Sequence, residues 1–133
     1  MFDGTPTLAI LDDLMNEADH TVANLFTKIS HHRSVSVIYI TQNVFHKAKQ
    51  SRTISLNAHY MVLFKSPRDV GQIAVLGRQL YPENSKFLVE AFKDATSTPQ
   101  SHLLLDLRPE TPEGLRVRAN IFDAEKQVVY QPK

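Results

Sequence analysis

Two short runs constrain the kind of sheet this chain can build. Leu8-Ala9-Ile10-Leu11 is uninterrupted apolar sequence cut off by two carboxylates, Asp12-Asp13. Val35-Ser36-Val37-Ile38-Tyr39-Ile40-Thr41 is rich in β-branched residues, apolar on both alternating faces, and ends in Gln42-Asn43. A strand apolar on both faces needs cover on both, and that is the habit of parallel sheets flanked by helices. The first run is short and bounded by Pro6 and the acids, which suits a buried strand better than a helix. Between the two runs, Leu14, Ala18, Val22, Leu25, Phe26 and Ile29 recur at helical spacing, with Asn16, Glu17, Asn24 and Lys28 on another face. This amphipathic helix is expected to give way near His31-His32-Arg33, where basic groups meet the negative end of its dipole.

The alternation continues. Residues 44–55 read as a loop with a short helix, and His59-Tyr60-Met61-Val62-Leu63-Phe64 as a third strand. Ser66-Pro67-Arg68-Asp69 is a helix-start signature, followed by a buried stripe of Val70, Ile73, Ala74 and Gly77. Tyr81-Pro82 stops that helix, and Phe87, Leu88, Ala91 and Phe92 mark another before the turn at 96–99. His102-Leu103-Leu104-Leu105-Asp106-Leu107 is a fourth strand. Leu115, Val117, Ala119 and Ile121 alternate with Arg116, Arg118 and Asn120, the pattern of a half-exposed edge strand. No repeat or long linker divides the chain. The expectation is one α/β domain over residues 1–133, a three-layer, mostly parallel sheet with helices on both faces.

Composition narrows the class. At 133 residues, 42% hydrophobic and 22% charged, the chain is that of an ordinary globular domain. No apolar stretch approaches the ~20 residues of a membrane span, and Met1-Phe2-Asp3-Gly4 lacks the basic and apolar regions of a signal peptide. The absence of cysteine excludes disulfides and thiolate metal sites. A cytoplasmic or nuclear protein, not a secreted one, is the expectation. The net charge of +1 hides an asymmetry: from His20 through Arg68 there is no acid, while Lys28, Arg33, Lys47, Lys49, Arg52, Lys65 and Arg68 fall there with five histidines. Such a segment suits nucleic acid or nucleotide phosphates; buried strands that exclude acids, with bases scattered over solvated surface, would give the same count. The histidines do not have zinc-ligand spacing: His31 and His32 are adjacent, and neither His20 nor His46 lies four residues from them.

In open α/β sheets ligands bind outside the carboxyl ends of the strands. Asp12-Asp13 ends the first strand and Gln42 the second, so such a fold brings all three to one rim. Successive residues at a strand's end point in different directions, so one acid can meet Mg²⁺ while the other reaches a nucleophilic water. A neutral Gln amide can donate to a γ-phosphate and accept from water without adding negative charge. Asp as a helix N-cap at a strand-to-helix junction is the plainer reading of the same acids.

The ordered set Leu8-Ala9-Ile10-Leu11-Asp12-Asp13-Leu14, His31-His32-Arg33, Val37-Ile38-Tyr39-Ile40-Thr41-Gln42-Asn43, Ser51-Arg52-Thr53-Ile54-Ser55-Leu56-Asn57-Ala58-His59-Tyr60 and Leu76-Gly77-Arg78-Gln79-Leu80-Tyr81-Pro82 resembles the C-terminal half of an FtsK-HerA-type P-loop ATPase. It is most similar to the genome-packaging ATPases of poxvirus-like viruses and Maverick/Polinton elements. The resemblance extends over nearly the whole chain. It implies a partial RecA-like P-loop NTPase fold and the cofactors ATP and Mg²⁺. Asp12 becomes the Walker B magnesium residue, Asp13 the acid that polarises water, and Gln42 the sensor. Arg52 becomes an arginine finger, with Arg33 and Arg78 as rivals. It also implies a hexameric ring around double-stranded DNA, with Lys47 and Lys49 facing the channel; an ordinary solvated loop is the alternative for those lysines.

The chain departs from that pattern at one place. No Gly-x-x-x-x-Gly-Lys-Ser/Thr phosphate loop occurs among its residues, and only Met1 to Thr7 precede the acidic strand. The family's activity is ATP hydrolysis, yet two carboxylates without the loop's amides and lysine make a weak nucleotide site. The expectation is a fragment of a DNA-packaging or DNA-translocating ATPase, inactive alone. A repurposed, non-catalytic interaction or DNA-binding module derived from such an ATPase is the alternative. An exposed sheet edge left by missing strands would favour self-association. A receiver-like fold also carries paired acids at a strand end, but Gln42 stands where it would need its phosphoacceptor Asp.

Overall fold

The structure, a computed structural model, describes residues 4–12, 24–29, 34–41, 56–67 and 70–133. The chain falls into two compact units, Met1–Ala58 and His59–Lys133.

In the first unit the two apolar runs form strands β1 (Thr7–Asp12) and β2 (Val35–Ile40). They pair in parallel without a bulge, from Thr7 opposite Val35 to Asp12 opposite Ile40. Entry into β2 is set by Ser34, whose φ of 52° turns the chain and whose carbonyl accepts from the Thr7 N–H at 3.0 Å. Of the expected long helix, residues 24–29 are described: Asn24 is helical and Leu25–Ile29 is a π-helical turn; the part before Asn24 lies outside the described residues. The Phe26 ring meets Tyr39 edge-on at 6.3 Å. That contact lies on the face that also carries the buried Val35 and the half-buried Ala9, Leu11 and Val37. Leu8, Ile10, Ile38 and Ile40 share the opposite face and are 47–58% exposed. The sequence pattern calls for cover on both faces, and among the described residues only one face is covered.

The second unit comprises β3 (Tyr60–Phe64), α1 (Val70–Leu80), α2 (Phe87–Ala95), β4 (His102–Asp106), a 3₁₀ turn (Glu113–Leu115), β5 (Val117–Ala119) and β6 (Val128–Tyr130). Its sheet runs in the order β3-β4-β5-β6, and every pairing in it is antiparallel. This differs from the mostly parallel sheet expected from the sequence; among the described residues only β1 and β2 pair in parallel. The reason is parity. One helix between two strands returns the chain to its starting end, so the next strand runs parallel, whereas the two helices α1 and α2 bring β4 back against β3 in the opposite sense.

One face of this sheet carries Met61, Leu63, Leu103, Leu105, Val117 and Ala119, all buried, and the helices contribute Ile73, Leu88, Ala91 and Phe92 to the same core. The helices approach closely at Gly77, where a Cβ would stand 2.7 Å from the Ser85 carbonyl oxygen and 3.3 Å from the Leu88 Cβ. As the sequence predicts, α1 stops at Leu80 before Tyr81-Pro82, with the Tyr81 N–H donating to Gly77 O at 2.8 Å. The Tyr81 ring packs edge-on against Phe87 at 4.9 Å. The helix-start signature falls partly on Arg68 and Asp69, outside the described residues. Residues 117–119 do not form the edge strand expected of them. They are interior, with Val117 and Ala119 1% and 3% exposed, because β6, whose short run has little periodic signal, supplies the edge instead.

Candidate functional site

The parallel register of β1 and β2 has one direct consequence for the site. Both strands point their carboxyl ends the same way, so Asp12 and Ile40 end side by side. Asp12 is exposed on the face that also bears Leu8 and Ile10, and Thr41 follows β2 directly. Of the three residues expected at the rim, Asp12 alone lies within the described residues, beside the end of β2. Asp13, Gln42, Lys47, Lys49, Arg52 and the rival Arg33 lie outside the described residues. By chain position Asp13 directly follows Asp12, and Gln42 is two residues beyond Ile40. The remaining arginine-finger candidate, Arg78, is exposed in the last turn of α1, in the second unit. Among the described residues no group of three or more His, Asp or Glu side chains is arranged to hold a metal ion. Asp12 can offer one carboxylate to a cation. That fits a Mg²⁺ whose other ligands are substrate phosphates and water, the usual way this ion is held.

Sequence reasoning did not anticipate a charged cluster on the second unit's sheet face opposite the helices. Asp106, at the end of β4, is fully buried. Its Oδ1 accepts from the Arg108 N–H at 3.2 Å and Arg108 Nε at 3.1 Å. Its Oδ2 accepts from Arg108 Nη2 and Arg118 Nη2, each at 3.0 Å. Arg116 Nη1 donates to the carbonyls of Asp106 at 3.0 Å and Arg108 at 2.8 Å, while its Nε pairs with Glu113 at 2.8 Å. The Arg108 guanidinium also lies 5.0 Å from the Tyr60 ring centroid. Hydrogen bonding by the Arg108 side chain, against the cost of burial, lowers the Asp106 carboxyl to about 2. A carboxylate saturated in this way has no role in proton transfer near neutral pH. It clamps the end of β4 to β5 and to the loop after it. The signal in the sequence was the pair Arg116 and Arg118 on one alternating face, but only the strand register connects them to Asp106.

Of the two histidines that open apolar strands, His102 packs against aromatic rings. Its ring lies between Phe64 at 5.8 Å and Phe122 at 6.1 Å, and its buried Nε2 has no hydrogen-bond partner. Neither histidine joins a metal cluster among the described residues.

Comparison with protein-family models, with curated proteins and with solved structures finds no match to this chain.

Proposed function

We propose that this chain is the Walker B and sensor portion of an FtsK-HerA-type ATPase that packages or translocates double-stranded DNA. The unshifted parallel register of β1 and β2, which carries Asp12 to a carboxyl-end rim beside the strand that leads to Gln42, is the observation that supports it best. In this reading residues 1–133 are part of one ATPase domain, and the β1–β2 pair belongs to a larger, mostly parallel, three-layer sheet. The bare face formed by Leu8, Ile10, Ile38 and Ile40 fits that assignment, because a parallel sheet takes a helical layer on each side.

The roles then follow from chemistry. Mg²⁺–ATP would supply the phosphoryl group, and Asp12 would hold the cation with one carboxylate oxygen. Asp13 would orient and polarise the attacking water, and the Gln42 amide would hold the γ-phosphate without adding negative charge. Arg52 would reach a neighbouring subunit's nucleotide within a hexameric ring. Lys47 and Lys49 would track DNA phosphates, giving sequence-independent and salt-dependent binding. With no phosphate loop among its residues, this chain by itself should neither bind ATP tightly nor turn it over.

The test compares the 133-residue chain with the product of a reading frame extended upstream. An in-frame strand followed by Gly-x-x-x-x-Gly-Lys-Ser/Thr, with ATP turnover that Asp12→Asn abolishes, is the expected result. Micromolar ATP affinity and turnover by the chain alone, or full turnover in the Asp12→Asn protein, would defeat the proposal. Unrelated sequence upstream, with DNA or protein binding but no nucleotide binding, would favour the repurposed non-catalytic module instead.

A further inference from the structure

The strand β3 is the edge of its sheet: among the described residues its only strand neighbour is β4. The Leu107 N–H donates to His59 O at 2.8 Å, and His59 and Leu107 are opposite one another by continuation of the Tyr60–Asp106 register. Antiparallel pairs alternate between hydrogen-bonded and non-hydrogen-bonded residues. Met61 and Leu63 therefore direct their backbone groups at β4, and Tyr60, Val62 and Phe64 direct theirs outward. An edge of this kind usually carries a charge, a proline or a bulge that blocks pairing. Tyr60-Met61-Val62-Leu63-Phe64 has no charge and no proline, and its register against β4 is unbroken. Its outward backbone groups belong to the same residues whose side chains are exposed, Tyr60 at 47%, Val62 at 45% and Phe64 at 58%.

We infer that this edge pairs with β3 of a second copy of the chain, antiparallel about a two-fold axis at Val62. The strand is self-complementary in that register. Val62 meets the second copy's Val62 and Tyr60 meets its Phe64, so each exposed aromatic faces another aromatic, a favourable cross-strand combination. The outward N–H and C=O groups of all three residues are satisfied at once. Antiparallel partners keep opposed side chains on one face, so the two four-stranded sheets become one continuous sheet with the helices of both copies on the same side. The chain's net charge of +1 sets up little repulsion between copies. The inference does not depend on the nucleotide chemistry proposed above, and its test reads no nucleotide.

The chain has no cysteine, so one introduced thiol per copy reports the register. Val62→Cys places two thiols across the axis in a hydrogen-bonded pair, where Cα atoms ~5.5 Å apart fall inside the disulfide range. Under mild oxidation it should run at twice the 15.1 kDa mass of the chain. Tyr60→Cys alone should stay monomeric on a reducing-agent-free gel, and a mixture of Tyr60→Cys with Phe64→Cys should cross-link. Wild type should sediment as a dimer, and Val62→Lys, which leaves the half-exposed site solvated but charges the edge, should sediment as a monomer with an unchanged circular dichroism spectrum. A monomeric wild type, a Val62→Cys protein that stays reduced, or Tyr60→Cys cross-linking as well as Val62→Cys would each overturn the inference.

Discussion

Replacing Asp106 by Asn removes one negative charge from a site where it is fully buried and accepts four hydrogen bonds from Arg108 and Arg118. The cost can be worked from the carboxyl's own titration. It sits at about 2 instead of 3.8, and at ~1.4 kcal/mol per pH unit the difference is about 2 kcal/mol of stability near neutral pH. Arg108 is 37% exposed, so solvent screens part of the interaction and the figure is an upper one. The sign follows from the lowered value. The carboxylate's contribution is complete above its unfolded value near 4 and is lost as pH falls through about 2. Asp106→Asn should therefore trail the wild type by roughly 2 kcal/mol at about pH 7, equivalent to ~8–16 °C in Tm for a domain of this size class. The gap should close as the pH approaches about 2. Urea titrations followed by far-UV circular dichroism at about pH 7 and about pH 2.5 measure it. A gap that is the same at both pH values would refute the reasoning, because it would show the loss to be one of packing and not of a buried charge.

Gly77→Ala adds a methyl group 2.7 Å from the Ser85 backbone carbonyl; despite the better helix propensity of Ala it should destabilise by ~1–3 kcal/mol in thermal melts. Leu105→Ala truncates a side chain that is 1% exposed in the middle of β4 and should cost ~2–5 kcal/mol in chemical denaturation. Ile38→Ser, on the bare face of β2, should change stability by no more than ~0.5 kcal/mol and raise solubility; a loss of several kcal/mol would mean that this face is covered within the chain itself.

Much of the local structure was legible in the sequence because it depends on local rules. The strands at 7–12, 35–40, 60–64 and 102–106 and the helices at 70–80 and 87–95 follow from β-branched runs, helical spacing and the Tyr81-Pro82 stop. The parallel pairing of β1 and β2 followed as well, since strands apolar on both faces are the habit of parallel sheets. Less legible was anything that depends on long-range pairing. Residues 117–119 alternate like an edge strand, yet become interior once Val128–Tyr130, itself too short to show a period, pairs beside them.

By itself the sequence determined where chain direction changes, which faces are apolar, and that an acid ends the first strand, all properties of residues within a turn or a strand of one another. The tertiary structure decided the sense of the β3–β4 pairing, the closeness of α1 and α2 at Gly77, and the union of Asp106, Arg108 and Arg118, with Arg118 twelve positions beyond Asp106 and joined to it through the β4–β5 register. The physical reason is that local periodicity records which side of an element is buried, whereas partner and direction depend on how many reversals the intervening chain makes.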